Sequence, residues 1–510
     1  MTDSARAFER RTAMATVTIA ILLGLFAMND VPIGVFQDDG HYLILARALA
    51  HGDGFRYMNL PGAPSATHFP PGYPLLLAPL WWLAPAFPGN VALFKLLNVA
   101  LLPLAALGVR ALARHVGGLS VLAASVLAVV SLATVPVLFL NGLLFSETIF
   151  IAALCGLLVA AERLSDASDA SWWLALGVGV GVGALAMLRT LGVAVLPGLL
   201  AVLLWRRRYA DALLVLAGAL VVLLPWQWWT SEHARDVPAA IAGAYGGYSS
   251  WLVDAWRDGG FSFVRAVVGE NLHGLLMPLT LFGLIEAPAA LQAVAGTALI
   301  VLAGAGVVHL WPRAKVTTLL FIPYGALLLL WPFPPDRFLW PLWPIVLVFI
   351  VVGTTTLGAP SVNSRVRFGA RLAAAALAAL FVVWHVRTWP GRSWEDLERG
   401  NARVGYAAAR VAAALPRDGL VASDQDAMVH LYAGRPAVPL VALTAVQHVR
   451  DRSDAEVAAQ VAGVLDAYHP RWVLVVQRES LRGVQLLAQR GRLRLAGADT
   501  AGVLVYDVVR

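Results

Sequence analysis

The stretch TAMATVTIAILLGLFAM (residues 12–28) follows three arginines, Arg6, Arg10 and Arg11, and carries no charge of its own. A run of that length is just enough helix to cross ~30 Å of hydrocarbon. The Asn-Asp-Val-Pro-Ile-Gly that follows offers no small-residue cleavage site, so the stretch reads as an uncleaved first span rather than a signal peptide. Arginines before the span and none within it predict a cytoplasmic N-terminus.

The rest of the chain has the same character. Apolar residues make up 59% of the 510 and charged residues 14%, against a usual ~45–50% and ~25%. The mean hydropathy is +0.71. This excludes a disordered chain, a disulfide scaffold, a collagen and a soluble nucleic-acid binder. The formal net charge of +7 comes from arginines and two lysines, Lys95 and Lys315. Cys155 is the single cysteine, which excludes an intramolecular disulfide and a cysteine metal site.

Further apolar runs lie near 91–113, 118–139, 147–162, 172–188, 190–205, 211–229, 290–311, 316–332, 337–357 and 368–388, giving about eleven spans with the first. Under that count the basic clusters Arg110/Arg114, Arg163, Arg206/Arg207/Arg208, Arg313/Lys315 and Arg365/Arg367/Arg371 join the N-terminal arginines on one side. The positive-inside rule makes that side cytoplasmic. An odd count then puts the C-terminus outside, together with outer loops at about 30–90 and 230–290. Gly177, Gly179, Gly181 and Gly183 have the small-xxx-small spacing of close helix packing.

The expected fold is therefore a polytopic α-helical membrane domain over residues 1–390, located in the cell inner (cytoplasmic) membrane. After about Arg399 the composition becomes that of a soluble α/β domain, 399–510, placed outside the cytoplasm. Residues 401–415 and 453–468 read as helices; 420–423, 472–477 and 502–508 read as strands. Asp424 and Asp426, just after the first of these strands, read as helix caps.

Chemistry in such a chain needs an aqueous rim, because ionisable groups are costly in lipid. Just past the first span comes QDDGHY (residues 37–42), leading into a short helix over 43–50 stopped by Gly52 and Gly54. Asp38 and Asp39 at that helix start suit either a catalytic base or a cap that complements the dipole. THFPPGYP (residues 67–74) brings His68 back towards the same rim, and Phe145-Ser146-Glu147 starts a span facing the same compartment. Arg189 and Arg337, at outer span ends, break the positive-inside pattern and suit an anionic ligand.

Taken in this order, Asp38-Asp39 with Tyr42 following, His68-Phe69-Pro70-Pro71-Gly72-Tyr73-Pro74, Ser146-Glu147 and Asp336-Arg337-Phe338 resemble the GT-C glycosyltransferases over about residues 1–390. The nearest branch is that of the protein O-mannosyltransferases, the lipid A aminoarabinose transferases and the rhizobial lipopolysaccharide transferases. The resemblance implies a polyprenyl-phosphate sugar donor, transfer on the outer face and inversion at the anomeric carbon. It implies Asp38 as general base with Asp39 beside it. His68, Glu147, Arg189, Arg337 and Tyr42 would then bind donor phosphate or substrate. The aminoarabinose transferases carry a phosphate-binding lysine where this chain has Phe69, which leaves His68 as the neighbouring substitute.

The acceptor is a lipid, glycan or protein, the other partners are membrane lipids, and no nucleic acid is expected. Displacement of this kind requires no metal or other cofactor, although Asp38, Asp39 and Glu147 are groups that can bind one; none is expected here. Two rival readings are a lipid-linked sugar flippase or transporter, and an inactive scaffold. A transporter would more often show midplane charges and internal repeats, and no repeat is visible.

Overall fold

In the computed structural model the described residues are 3–167, 171–275, 288–331, 333–389, 392, 395–442 and 444–509; the part of the expected outer loop at 276–287 lies outside them. All eleven apolar runs are helical. Among the described residues, seven helices are long and apolar enough to cross a membrane, and Val121–Leu132 with Val135–Gly142 makes an eighth if that pair, bent by 62°, is one span. The bend falls where Pro136 opens the second helix, a usual cause of kinks. The other three runs, Trp172–Leu188, Thr190–Trp205 and Lys315–Leu329, are shorter apolar helices. The chain is a multi-pass membrane protein.

The chain divides into two compact units. The first comprises Met1–Asn29, Lys95–Pro225 and Val268–Trp394. Its interior is aliphatic, and its outward helix faces are apolar too: Leu22, Leu25, Val382 and Val386 are all exposed, as expected where lipid replaces water. The glycine run splits by face. A Cβ on Gly179 would sit 2.1 Å from the carbonyl oxygen of Val215, and one on Gly183 2.6 Å from Val222 Cβ, so this side of the helix lies directly on Tyr209–Glu232. A Cβ on Gly177 would meet nothing within 4 Å. At the end of Glu147–Asp166, Arg208 donates to the carbonyl of Ala167 at 2.9 Å, satisfying an orphan acceptor and complementing the dipole.

The second unit comprises Asp30–Phe94, Trp226–Val267 and Glu395–Arg510. Its core is a five-stranded sheet of β1 (Val421–Ser423), β2 (Ala437–Pro439), β3 (Trp472–Val475), β4 (Leu493–Ala498) and β5 (Leu504–Val508), in the order β2-β1-β3-β5-β4. β1 is parallel to both β2 and β3, while β5 runs antiparallel to β3 and β4. The expected first, third and last strands are present, with β2 and β4 in addition. Helix Asp454–Tyr468 starts at a full capping box between Ser453 and Glu456, as its sequence asks. The segment after the first span is built onto this sheet: the Ala437 N–H on β2 donates to the Asn59 carbonyl at 2.9 Å.

Candidate active site

Helix Asp38–His51 begins at the acidic pair, five residues before the expected start, and ends at Gly52 with φ 82°. The two carboxylates have different surroundings. Asp39 is 0% exposed. Its carboxylate accepts from the backbone N–H groups of Gly34 at 2.8 Å, Gly40 at 2.9 Å and Phe36 at 3.2 Å. Burial outweighs these bonds and pushes its pKa up to about 6. Asp38 is only half-buried.

The residue between loop and helix is Gln37, at φ 61°, ψ −58°, and the Asp38 N–H donates to the Phe36 carbonyl at 2.7 Å across it. This is a γ-turn of the positive-φ kind, rare and strained for a residue with a Cβ. Asp39 braces it from both sides through Phe36 and Gly40. Gly34 must be glycine: it sits at φ 106°, and a Cβ there would lie 2.8 Å from Met428 Cγ. Gln37 occupies the cap position without a side-chain cap bond, and the Asp39 side chain binds the loop.

His41 is buried on the same helix, with Nε2 2.8 Å from the Tyr245 hydroxyl. The Asn59 side-chain amide donates to that hydroxyl at 2.5 Å, and the hydroxyl in turn donates to Asp426 Oδ2. With its one proton directed at Asp426, Tyr245 accepts from His41, which fixes the Nε2–H tautomer. Burial holds His41 down to about 3 and raises Asp426 to about 7. The cap reading of the two strand-end aspartates is therefore corrected. Asp426 anchors Tyr245, and Asp424 accepts from the N–H groups of Val476 at 3.1 Å and Gln477 at 2.8 Å.

His68 Nδ1 lies 2.7 Å from the Gly246 carbonyl, to which it donates. Burial lowers its pKa below the ordinary value, so at neutral pH it offers a hydrogen bond and not a charge. Tyr42 is 5% exposed and edge-on to Phe69 and Tyr73, with ring centroids 5.0 and 5.1 Å away.

In the first unit, three candidates from separate parts of the chain meet. Glu147 Oε1 accepts from Arg189 Nη1 at 2.6 Å and from Arg337 Nε at 2.7 Å. Glu147 is 1% exposed and Arg189 8%, whereas the Arg337 side chain keeps 27% of its surface. The Arg337 guanidinium stacks 4.0 Å from the centre of the Phe145 ring, and that of Arg189 5.3 Å from Phe338. Two cations share one carboxylate.

Sequence reasoning did not reach Asn59, Tyr245 or the bracing role of Asp39. A polar group scores the same in a sequence whether it meets water or a partner 186 residues away.

No protein-family model and no curated protein matches the chain. Solved structures do. The archaeal oligosaccharyltransferase AglB from Archaeoglobus fulgidus, in complex with an inhibitory peptide and a dolichol-phosphate, superposes with a TM-score of 0.53 at 12% identity, over 92% of this chain and 70% of that one. The same enzyme tethered to an acceptor peptide containing the NVT sequon gives 0.53 at 13% identity, over 98% and 74%. The chain has the GT-C fold. ArnT from Cupriavidus metallidurans bound to undecaprenyl phosphate also matches, over 98% of this chain and 97% of that one at 13% identity, with a TM-score of 0.45. At such identities the likeness is one of fold, and the GT-C fold expected from the acidic pair and the Pro-Pro segment is the one found.

Proposed function

We propose that this chain is a membrane glycosyltransferase that moves a sugar from a polyprenyl-phosphate donor to an acceptor hydroxyl outside the cytoplasm, with inversion. The observation that carries the reading is the state of Asp38. On a GT-C fold it is the half-buried carboxylate of an acidic pair, set at the first residue of a helix by a strained turn that its neighbour braces. A strained backbone held in place by three hydrogen bonds is the expected mark of a positioned group.

In the proposed step Asp38 takes the proton of the acceptor hydroxyl as that oxygen attacks the anomeric carbon. The bond from that carbon to the phosphate oxygen breaks, and its electron pair leaves with the polyprenyl phosphate. Charge develops on the departing phosphate, and the resemblance to GT-C transferases assigns its counter-charge to Arg337 or Arg189. His68, neutral and bound to Gly246, contributes position. The donor class is supported by the dolichol-phosphate in the AglB complex.

The test is transfer from a purified polyprenyl-phosphate sugar by Asp38→Asn. The amide preserves shape but cannot take a proton, so transfer should fall by roughly 10²–10⁴ while the donor still binds. Full activity in the variant would remove Asp38 from the mechanism. Donor translocation without transfer by the native chain would favour a flippase.

A further inference from the structure

The sheet of the second unit offers a place for chemistry that the transfer reading does not use. β1 lies between β2 and β3 and is parallel to both. The chain leaves β1 towards β2, then returns past it to β3, so the loops after β1 and β3 part in opposite directions. In open α/β sheets such a switch point, outside the carboxyl ends of the strands, is where ligands bind. A cavity of about 250 Å³ opens there.

Its lining identifies the ligand chemistry. The charged groups answer one another. Arg452 Nε donates to Glu479 Oε1 at 2.8 Å, and its Nη1 donates to the Ala442 carbonyl at 2.8 Å and to Gln460 at 2.6 Å. Asp424 is held by the backbone N–H groups of Val476 and Gln477. A phosphate entering the cavity would meet two carboxylates, and a metal ion would meet an arginine.

Four amides remain on the wall, Gln37 beside the strained turn and Gln425, Gln447 and Gln477 around the strand ends. Gln447 donates to Glu479 at 3.0 Å, which fixes its amide. Amides of this kind both donate to and accept from hydroxyls. Phe36, Val441 and Ala442 add apolar wall. The volume lies just below the ~300–1,000 Å³ of drug-sized pockets, which suits one ring and not a chain of them.

We propose that this crevice is a binding site for a single uncharged sugar ring, recognised through its hydroxyls by Gln425, Gln447 and Gln477 and through its C–H face by the apolar wall. Gln37 also lines the cavity, so an occupant touches the strained turn next to Asp38 and stiffens it. The site does not depend on the transferase reading, since it requires binding only.

The test is calorimetric titration of the full chain in a zwitterionic detergent, because glycoside detergents carry the proposed ligand themselves. The probes are glucose, galactose, mannose, N-acetylglucosamine and arabinose, with inorganic phosphate alongside. Saturable binding of at least one sugar is expected. Gln425→Ala and Gln477→Ala should each weaken it about three- to tenfold, the worth of one neutral hydrogen bond. Gln477 is exposed, and its side chain makes no hydrogen bond among the described residues, so that variant keeps the fold. Val441→Trp, which fills the space, should abolish binding, and Asp38→Asn should retain it even if transfer is lost. Absence of binding to every sugar, binding unchanged in both glutamine variants, or binding of phosphate alone would overturn the proposal.

Discussion

Arg337 and Arg189 hold the same oxygen of Glu147, but they are not equivalent. Arg189 is nearly enclosed, whereas Arg337 keeps about a quarter of its surface. Replacing Arg337 with alanine leaves Glu147 paired to Arg189, so the fold should survive. Transfer should fall by about 10²–10³, the scale of losing one charge-stabilising donor. Arg337→Lys should recover only part, since a point charge does not replace the guanidinium fork. Near-native turnover in a well-folded alanine variant would move the role to Arg189. In the other unit Asp426 gives a pH signature. Its folded pKa of about 7 exceeds the reference 3.8, so the folded state holds the proton more tightly. That contribution is fully present below about pH 4 and is lost as pH rises towards 7. Asp426→Asn cannot ionise. Its stability relative to the native chain should therefore improve by on the order of a few kcal/mol between pH 4 and 7, read by thermal unfolding in detergent. Parallel curves would show that Asp426 is not buried as described.

Helices carry the next prediction. Gly179 faces the Val215 carbonyl with no room for a methyl group, and Gly177 faces open space. Gly179→Ala should lower stability by ~1–3 kcal/mol through overpacking. Gly177→Ala should be neutral or stabilise by up to ~1 kcal/mol through helix propensity. Thermal unfolding of the two variants side by side tests this, and equal melting would exclude the close crossing. The spacing of the four glycines was enough to announce packing, but not which of them touch, since that depends on where the partner helix lies. Strands behaved likewise. The apolar runs at Val421–Ser423 and Trp472–Val475 stand out in the sequence. β4 (Leu493–Ala498) does not, because most of its residues are exposed and their alternation carries little contrast. β2 is three residues ending in Pro439 at the sheet edge, where proline is tolerated and the pattern is too short to read.

Across the whole molecule, hydropathy and arginine placement made a multi-pass fold with a C-terminal α/β domain legible, and the order of motifs made the GT-C fold legible. The buried network of His41, Asn59, Tyr245 and Asp426 was not, because it joins three segments that are remote in sequence. Topology remains the global prediction. Seven crossings, or eleven if the bent pair and the three short helices also cross, put the C-terminus outside. Eight put it back with the N-terminus. The basic clusters favour an odd number, so a reporter active only in the cytoplasm and fused after Arg510 should be silent. A strong signal would mean an even number of crossings and would place the sheet domain inside the cell.

The shared carboxylate also bears on how a catalytic cycle would end. A phosphodiester donor of the proposed kind would bring one negative charge to Glu147, Arg189 and Arg337. Its leaving group would be a phosphate monoester whose second proton dissociates near pH 6, so above that pH it carries more negative charge than its parent. Cationic side chains attract the doubly charged monoester more strongly than the donor. Departure from the sugar is then favoured while release of the spent carrier is slowed, and turnover would wait on exchange of the carrier for fresh donor.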